Sequence, residues 1–112
     1  MTNLGQPNRI IMATKTANTD TLTQTIQGLG YASLVDFARE QARSILLQKI
    51  AYNQGRIDFF EQKYGLTFTQ FCEQFEQIKS HSTLEKEDDS LIWETSIDVL
   101  HAYQNDVLSL NQ

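Results

Sequence analysis

The chain has 112 residues, a formal net charge of -5 and 40% hydrophobic residues, six of them Phe. That length allows one domain with a small core and excludes two, and the apolar content excludes a disordered chain. No apolar run reaches signal-peptide or bilayer-crossing length, so the protein is expected in the cytoplasm with no membrane partner.

Residues 1–18 read as a flexible or ribbon-like arm ahead of a single helical domain over 19–112. Within the arm, Arg9 to Thr16 is the one stretch enriched in β-branched residues. A lone strand leaves its ladder groups unpaired, so a strand here needs a partner chain, and a frayed terminus is the alternative. Either Met1 or Met12 can be the start. Asp20 can cap a short helix through Leu22, Ile26 and Leu29, ended by Gly28 or Gly30.

A long helix comes next. Ser33 with Asp36 three residues on forms an S-x-x-D capping pattern, Gly65 stands where a left-handed C-terminal residue belongs, and no proline intervenes. Between them Leu46, Ile50, Asn53, Ile57, Phe60 and Tyr64 make a stripe at steps of three and four. A helix from Leu34 to Tyr64 is roughly 46 Å long at ~1.5 Å per residue, so part of it needs cover. Either the other helices fold back on it or a second chain lies against it. The expectation is a homodimer with Leu46, Ile50 and Ile57 at its interface. Gly55 weakens the helix interior and can allow a bend.

Thr67 and Gln70 form a T-x-x-Q capping box that starts a third helix, whose apolar face is Phe68, Phe71, Phe75 and Ile78. Cys72, the single cysteine, is expected as a small buried core residue. Lys79 to Asp89 reads as a loop or a solvated first turn. From Ser90 a last helix carries Leu91, Ile92, Trp93, Ile97 and Leu100. The fold class is therefore all-α: a long central helix with shorter helices packed on it, and a short N-terminal strand if two chains pair.

No catalytic constellation stands out. His81 and His101 have neither the spacing nor the cysteine neighbours of a zinc site, and no phosphate-binding glycine loop or nucleophile elbow occurs. The reading is of a protein that is not an enzyme, with no metal and no cofactor. Charge is divided unevenly: residues 1–56 carry six Lys or Arg against three acids, and residues 57–112 carry three lysines against eleven acids. Such a split suits two surfaces with two partners, a polyanion for the first and a basic protein for the second, the bland reading being a solvated acidic face.

The stretch LGYASLVDFAREQA, from Leu29 to Ala42, resembles the entry to the second helix of ribbon-helix-helix proteins, the small DNA-binding antitoxins of prokaryotic toxin-antitoxin pairs. Downstream, YGLTFTQFCEQFEQ and DDSLIWETSIDVLHAYQ are similar to small prokaryotic proteins of antitoxin-like type. The resemblance implies a dimer whose N-terminal ribbon contacts operator DNA through Thr14, Lys15 and Thr16, with the backbone at Ser33 holding a phosphate. It also implies a toxin, a basic protein, bound by the acidic aromatic half through Phe68, Trp93 and Glu94. The segment before the first helix departs from the family pattern, because Thr16-Ala17-Asn18-Thr19 is weakly apolar and Lys15 is its only base. A helical homodimer that acts as an interaction scaffold without DNA is the alternative reading. For Trp93 a core position competes with a partner anchor, since interfaces favour Trp.

Overall fold

A computed structural model describes residues 19–111. Every regular element among them is helical: α1 over 19–28, α2 over Leu34–Tyr64, α3 over Phe68–Glu73, a 3₁₀ turn over Phe75–Gln77, and α4 over Thr83–Leu110. The long central helix therefore has the extent that its caps predict. None of these helices is long and apolar enough to cross a membrane. The N-terminal strand and residues Thr14, Lys15 and Thr16 lie outside the described residues.

The chain divides into two compact units, Met1–Ala42 and Arg43–Gln112. No residue pattern marks that boundary, since α2 runs through it without Pro or Gly. In the first unit residues 19 and 20 are already helical, so Asp20 lies inside α1 and does not cap it. At the other end the Tyr31 amide reaches back to the Ile26 carbonyl (3.2 Å) and the Gly30 amide to that of Gln27 (3.0 Å), with Gly30 at φ 104°. This six-to-one closure needs a positive φ that glycine supplies without strain. The Ser33 hydroxyl then accepts from the Asp36 amide at 3.0 Å to start α2, and the Tyr31 ring stands edge-on to Phe37 at 5.1 Å.

In the second unit α2 is continuous through Gly55, so no break occurs there. Its inner stripe carries Asn53, a polar residue in an apolar row, which is tolerated because its amide donates to the Lys49 carbonyl at 2.8 Å. Gly65, at φ 66°, ends the helix, and the Thr67–Gln70 box caps α3 with both reciprocal bonds present. The core consists of Ile57, Phe60, Phe71, Trp93 and Leu100. Trp93 and Phe71 are wholly enclosed. The indole has Phe71 and Phe68 at 5.2 Å, Phe60 stacked at 5.6 Å and Tyr64 at 6.0 Å, distances at which aromatic pairs attract beyond their area burial.

Three local expectations are corrected. The third helix does not run to Ile78: it stops at Glu73, and Phe75 and Ile78 reach the core from the 3₁₀ turn and the residue just after it. The last helix begins at Thr83, seven residues before Ser90, because the Ser82 hydroxyl accepts from the Glu85 amide at 3.1 Å and caps it. Cys72 is exposed, not buried. Phe71 takes the core position at that turn, and the neighbouring residue, ~100° further round the helix, faces away.

Candidate functional site

The groove between α3 and α4 gathers the residues in which the chain's acidic and aromatic features meet. One wall comes from α3 and the 3₁₀ turn, with Phe68, Phe71, Cys72 and Phe75; the other comes from α4, with Glu87, Ser90, Leu91 and Glu94. The α4 residues are three, four and seven apart, which is one face of a helix. The space is about 500 Å³. Its floor is the edge of the aromatic core, and Leu91, 67% exposed, stands on its rim.

Two polar fixtures hold the walls in place. Lys86 is 3% exposed, and its ammonium donates to the carbonyls of Phe75 (2.6 Å) and Ile78 (2.8 Å) while lying 4.3 Å from the Phe75 ring centre. It thereby ties the 3₁₀ turn to α4 and supplies a donor to carbonyls that α3 has left behind. On the other side of α4, Asp89 accepts from Lys63 (2.7 Å) and from the Tyr64 hydroxyl (2.6 Å), and Lys63 also meets Glu85 at 2.6 Å. Burial opposes the charge on Asp89, but the bonds from Lys63 and Tyr64 outweigh it and hold the carboxyl below its usual range. Lys63 is held above its ordinary range by Asp89 first and Glu85 second, and Tyr64 is pushed up by burial and by its bond to Asp89.

The charges that line the groove are of one sign. Glu87 and Glu94 lie in its wall with no cation in ion-pair distance among the described residues, whereas Glu85 and Asp89, on the α2 side, share Lys63. The Cys72 thiol is raised by partial burial and then by Glu94 and Glu73, which disfavours the nucleophilic thiolate. An apolar floor with two carboxylates at its edge suits a side chain that has a hydrocarbon stem and a positive head. Among the described residues no group of three His, Cys, Asp or Glu is placed to hold a metal ion.

Of the residues singled out in the sequence, Phe68 and Glu94 are brought together here. Trp93 is 0% exposed and packs edge-on against Phe68 from the core side. Its indole N–H has no hydrogen-bond partner among the described residues, in keeping with the apolar and aromatic core around it. Ile57 is enclosed in the chain's own core and Ile50 packs against that core, while Leu46 is half-buried. These positions face inward, away from the exposed side of α2. Ser33 caps α2, its hydroxyl already engaged by the Asp36 amide. Sequence reasoning missed Glu87 and Lys86 as site residues, because the run from Lys79 to Asp89 gave no apolar rhythm, and it read Leu91 only as one of the apolar residues of the last helix. The signal that was present is the S-x-x-E pattern at Ser82 and Glu85. No known protein family, curated protein or solved structure matches this chain.

Proposed function

We propose that this protein is an antitoxin-like binding protein that captures and neutralises a basic protein partner, a toxin, in the groove between α3 and α4. The observation that carries this reading is the juxtaposition of exposed Leu91 and the aromatic floor with Glu87 and Glu94, two carboxylates with no cation in ion-pair distance among the described residues. Residues 57–112 carry eleven acids against three lysines, which favours encounter with a basic surface and makes association weaken with salt. The resemblance of residues 29–42, 64–77 and 88–104 to antitoxin-like proteins points the same way. Operator DNA enters through that resemblance alone, at Thr14, Lys15, Thr16 and Ser33. The second reading, a self-associating helical scaffold with no other partner, draws on the exposed apolar side of α2.

The test is coexpression with the product of the adjacent gene. Leu91→Ser and Glu94→Lys change exposed side chains, so both variants are expected to fold. Each should weaken copurification of the partner by about tenfold or more, the scale of one lost interface anchor or one reversed charge. Copurification and growth protection unchanged in the Leu91→Ser, Glu94→Lys double variant would place the binding surface elsewhere.

A further inference from the structure

The outer side of α2 carries a second surface, separate from the α3–α4 groove. Ile45, Tyr52 and Phe59 are 54%, 62% and 59% exposed, and they recur at intervals of seven, so they stand on one side of the helix. Next to them a depression of about 530 Å³ is lined by Tyr52, Gly55, Arg56 and Phe59 of α2 and by Ile92 of α4. The two aromatic rings are held in place. Arg56 donates to the Tyr52 hydroxyl at 3.0 Å with its guanidinium 5.5 Å from that ring, and Phe59 stands edge-on to Phe60 at 5.3 Å.

Gly55 is the anomaly. It sits inside a 31-residue helix, where glycine costs about 1 kcal/mol relative to alanine, and its φ is not positive. A Cβ at this position would meet nothing within 4 Å. No contact among the described residues therefore explains the missing side chain, and what it produces is a notch between two exposed aromatic knobs.

We propose that this side of α2 binds a second copy of the same chain, antiparallel, with Phe59 of each copy seated over Gly55 of the other. Knob and notch are four residues apart on one helix, so a two-fold axis level with Ile57 brings Phe59 to Gly55 in both directions at once. The same axis sets Tyr52 level with Gln62. Such reciprocity is what an isologous interface requires.

Charge selects a second copy over another partner. The stripe itself, Ile45, Gln48, Tyr52, Gly55, Phe59 and Gln62, has no charged member, and Arg56, the charged residue of the depression's lining, is engaged with the Tyr52 hydroxyl, on a unit that is otherwise acidic. Two like-charged surfaces would repel on pairing, and a neutral stripe does not. Size agrees as well. A standard interface buries ~800 Å² per partner, somewhat over half of it apolar, and the exposed parts of Ile45, Tyr52, Phe59 and Ile92 offer roughly 400 Å² of apolar surface.

Sedimentation velocity of the full chain at tens of micromolar tests this. The wild type is expected to sediment as a dimer, and Phe59→Glu as a monomer with unchanged helical circular dichroism. Gly55→Ala adds a methyl group that favours the helix, so it folds at least as well, yet it fills the notch and should raise the dimer dissociation constant tenfold or more. A monomeric wild type would overturn the proposal, as would a dimer whose dissociation constant is unaltered in both variants. Partner capture through Leu91 and Glu94 is read by copurification and not by mass, so the two surfaces fail or stand separately.

Discussion

Lys86 offers the sharpest test of how the groove is held. Replacing it with Met keeps the hydrocarbon stem and removes the ammonium that bonds the Phe75 and Ile78 carbonyls. Each hydrogen bond to a charged donor contributes ~1.5–3 kcal/mol, so the pair is worth ~3–6 kcal/mol before offsets. Two offsets reduce this. The Phe75 carbonyl retains the Ile78 amide at 3.3 Å, and the variant no longer pays to keep an ammonium out of water without a carboxylate beside it. The expected loss is therefore about 2 kcal/mol, against a total of roughly 4–10 kcal/mol for a unit of this size.

Urea unfolding followed by the fluorescence of Trp93, the single tryptophan and a wholly buried one, measures this directly. At a slope near 1 kcal/mol per molar for a small unit, the midpoint should fall by roughly 2 M. The loss should be concentrated at the groove, because Phe75 forms part of its wall. A midpoint shift under about 0.3 M, with the amide exchange of residues 75–78 unchanged, would refute the idea that Lys86 ties the turn to α4.

Asp89 gives a pH-dependent prediction. Its carboxyl is held below the usual range in the folded state, so its share of stability is present above the unfolded value of ~3.9 and disappears as pH falls through the folded value. Asp89→Asn should accordingly lower stability at pH 7 by about 1–3 kcal/mol and converge with the wild type near pH 2 in urea titrations; parallel curves down to that pH would contradict the assignment. Ser82→Ala removes the cap of α4 and should cost about 1 kcal/mol, read as faster exchange of the Glu85 amide, which the Ser82 hydroxyl accepts from at 3.1 Å.

The features legible in the sequence were helix ends written in local chemistry. Ser33, Gly65 and the Thr67–Gln70 pair act on backbone groups within a few residues of themselves, so their meaning does not depend on the rest of the fold. The start of α4 was hidden for the opposite reason. Its first turns face the rest of the unit with Lys86 and Asp89, whose partners lie eight to 26 residues away, and an apolar rhythm cannot reveal a polar inner face. The rhythm also misled at Phe75 and Ile78, where apolar residues keep helical spacing while the backbone tightens into a 3₁₀ turn. For the groove, Phe68 and Glu94 were readable only as an aromatic and an acid suited to a partner, and their meeting in one groove came from the packing of α3 on α4. That Trp93 would pack against Phe68 from the core side depended on four rings closing round it, which no spacing rule encodes.

The two faces of α4 divide its acids in a way that bears on function. Toward α2, Glu85 and Asp89 are neutralised by Lys63 and tied to Tyr64, and there the carboxylates serve the fold. Toward α3, Glu87 and Glu94 flank Leu91, and no cation or hydrogen bond among the described residues uses their charge. A helix that needed acids only for solubility would have no reason to set two of them around an exposed leucine over an aromatic floor, since scattered surface positions serve that end equally well. Their mutual repulsion is modest at the surface, and a basic side chain entering between them would relieve it while its stem covers Leu91. The arrangement thus couples charge and apolar contact at one spot, the combination that the proposed capture of a basic partner over a neutral one would require.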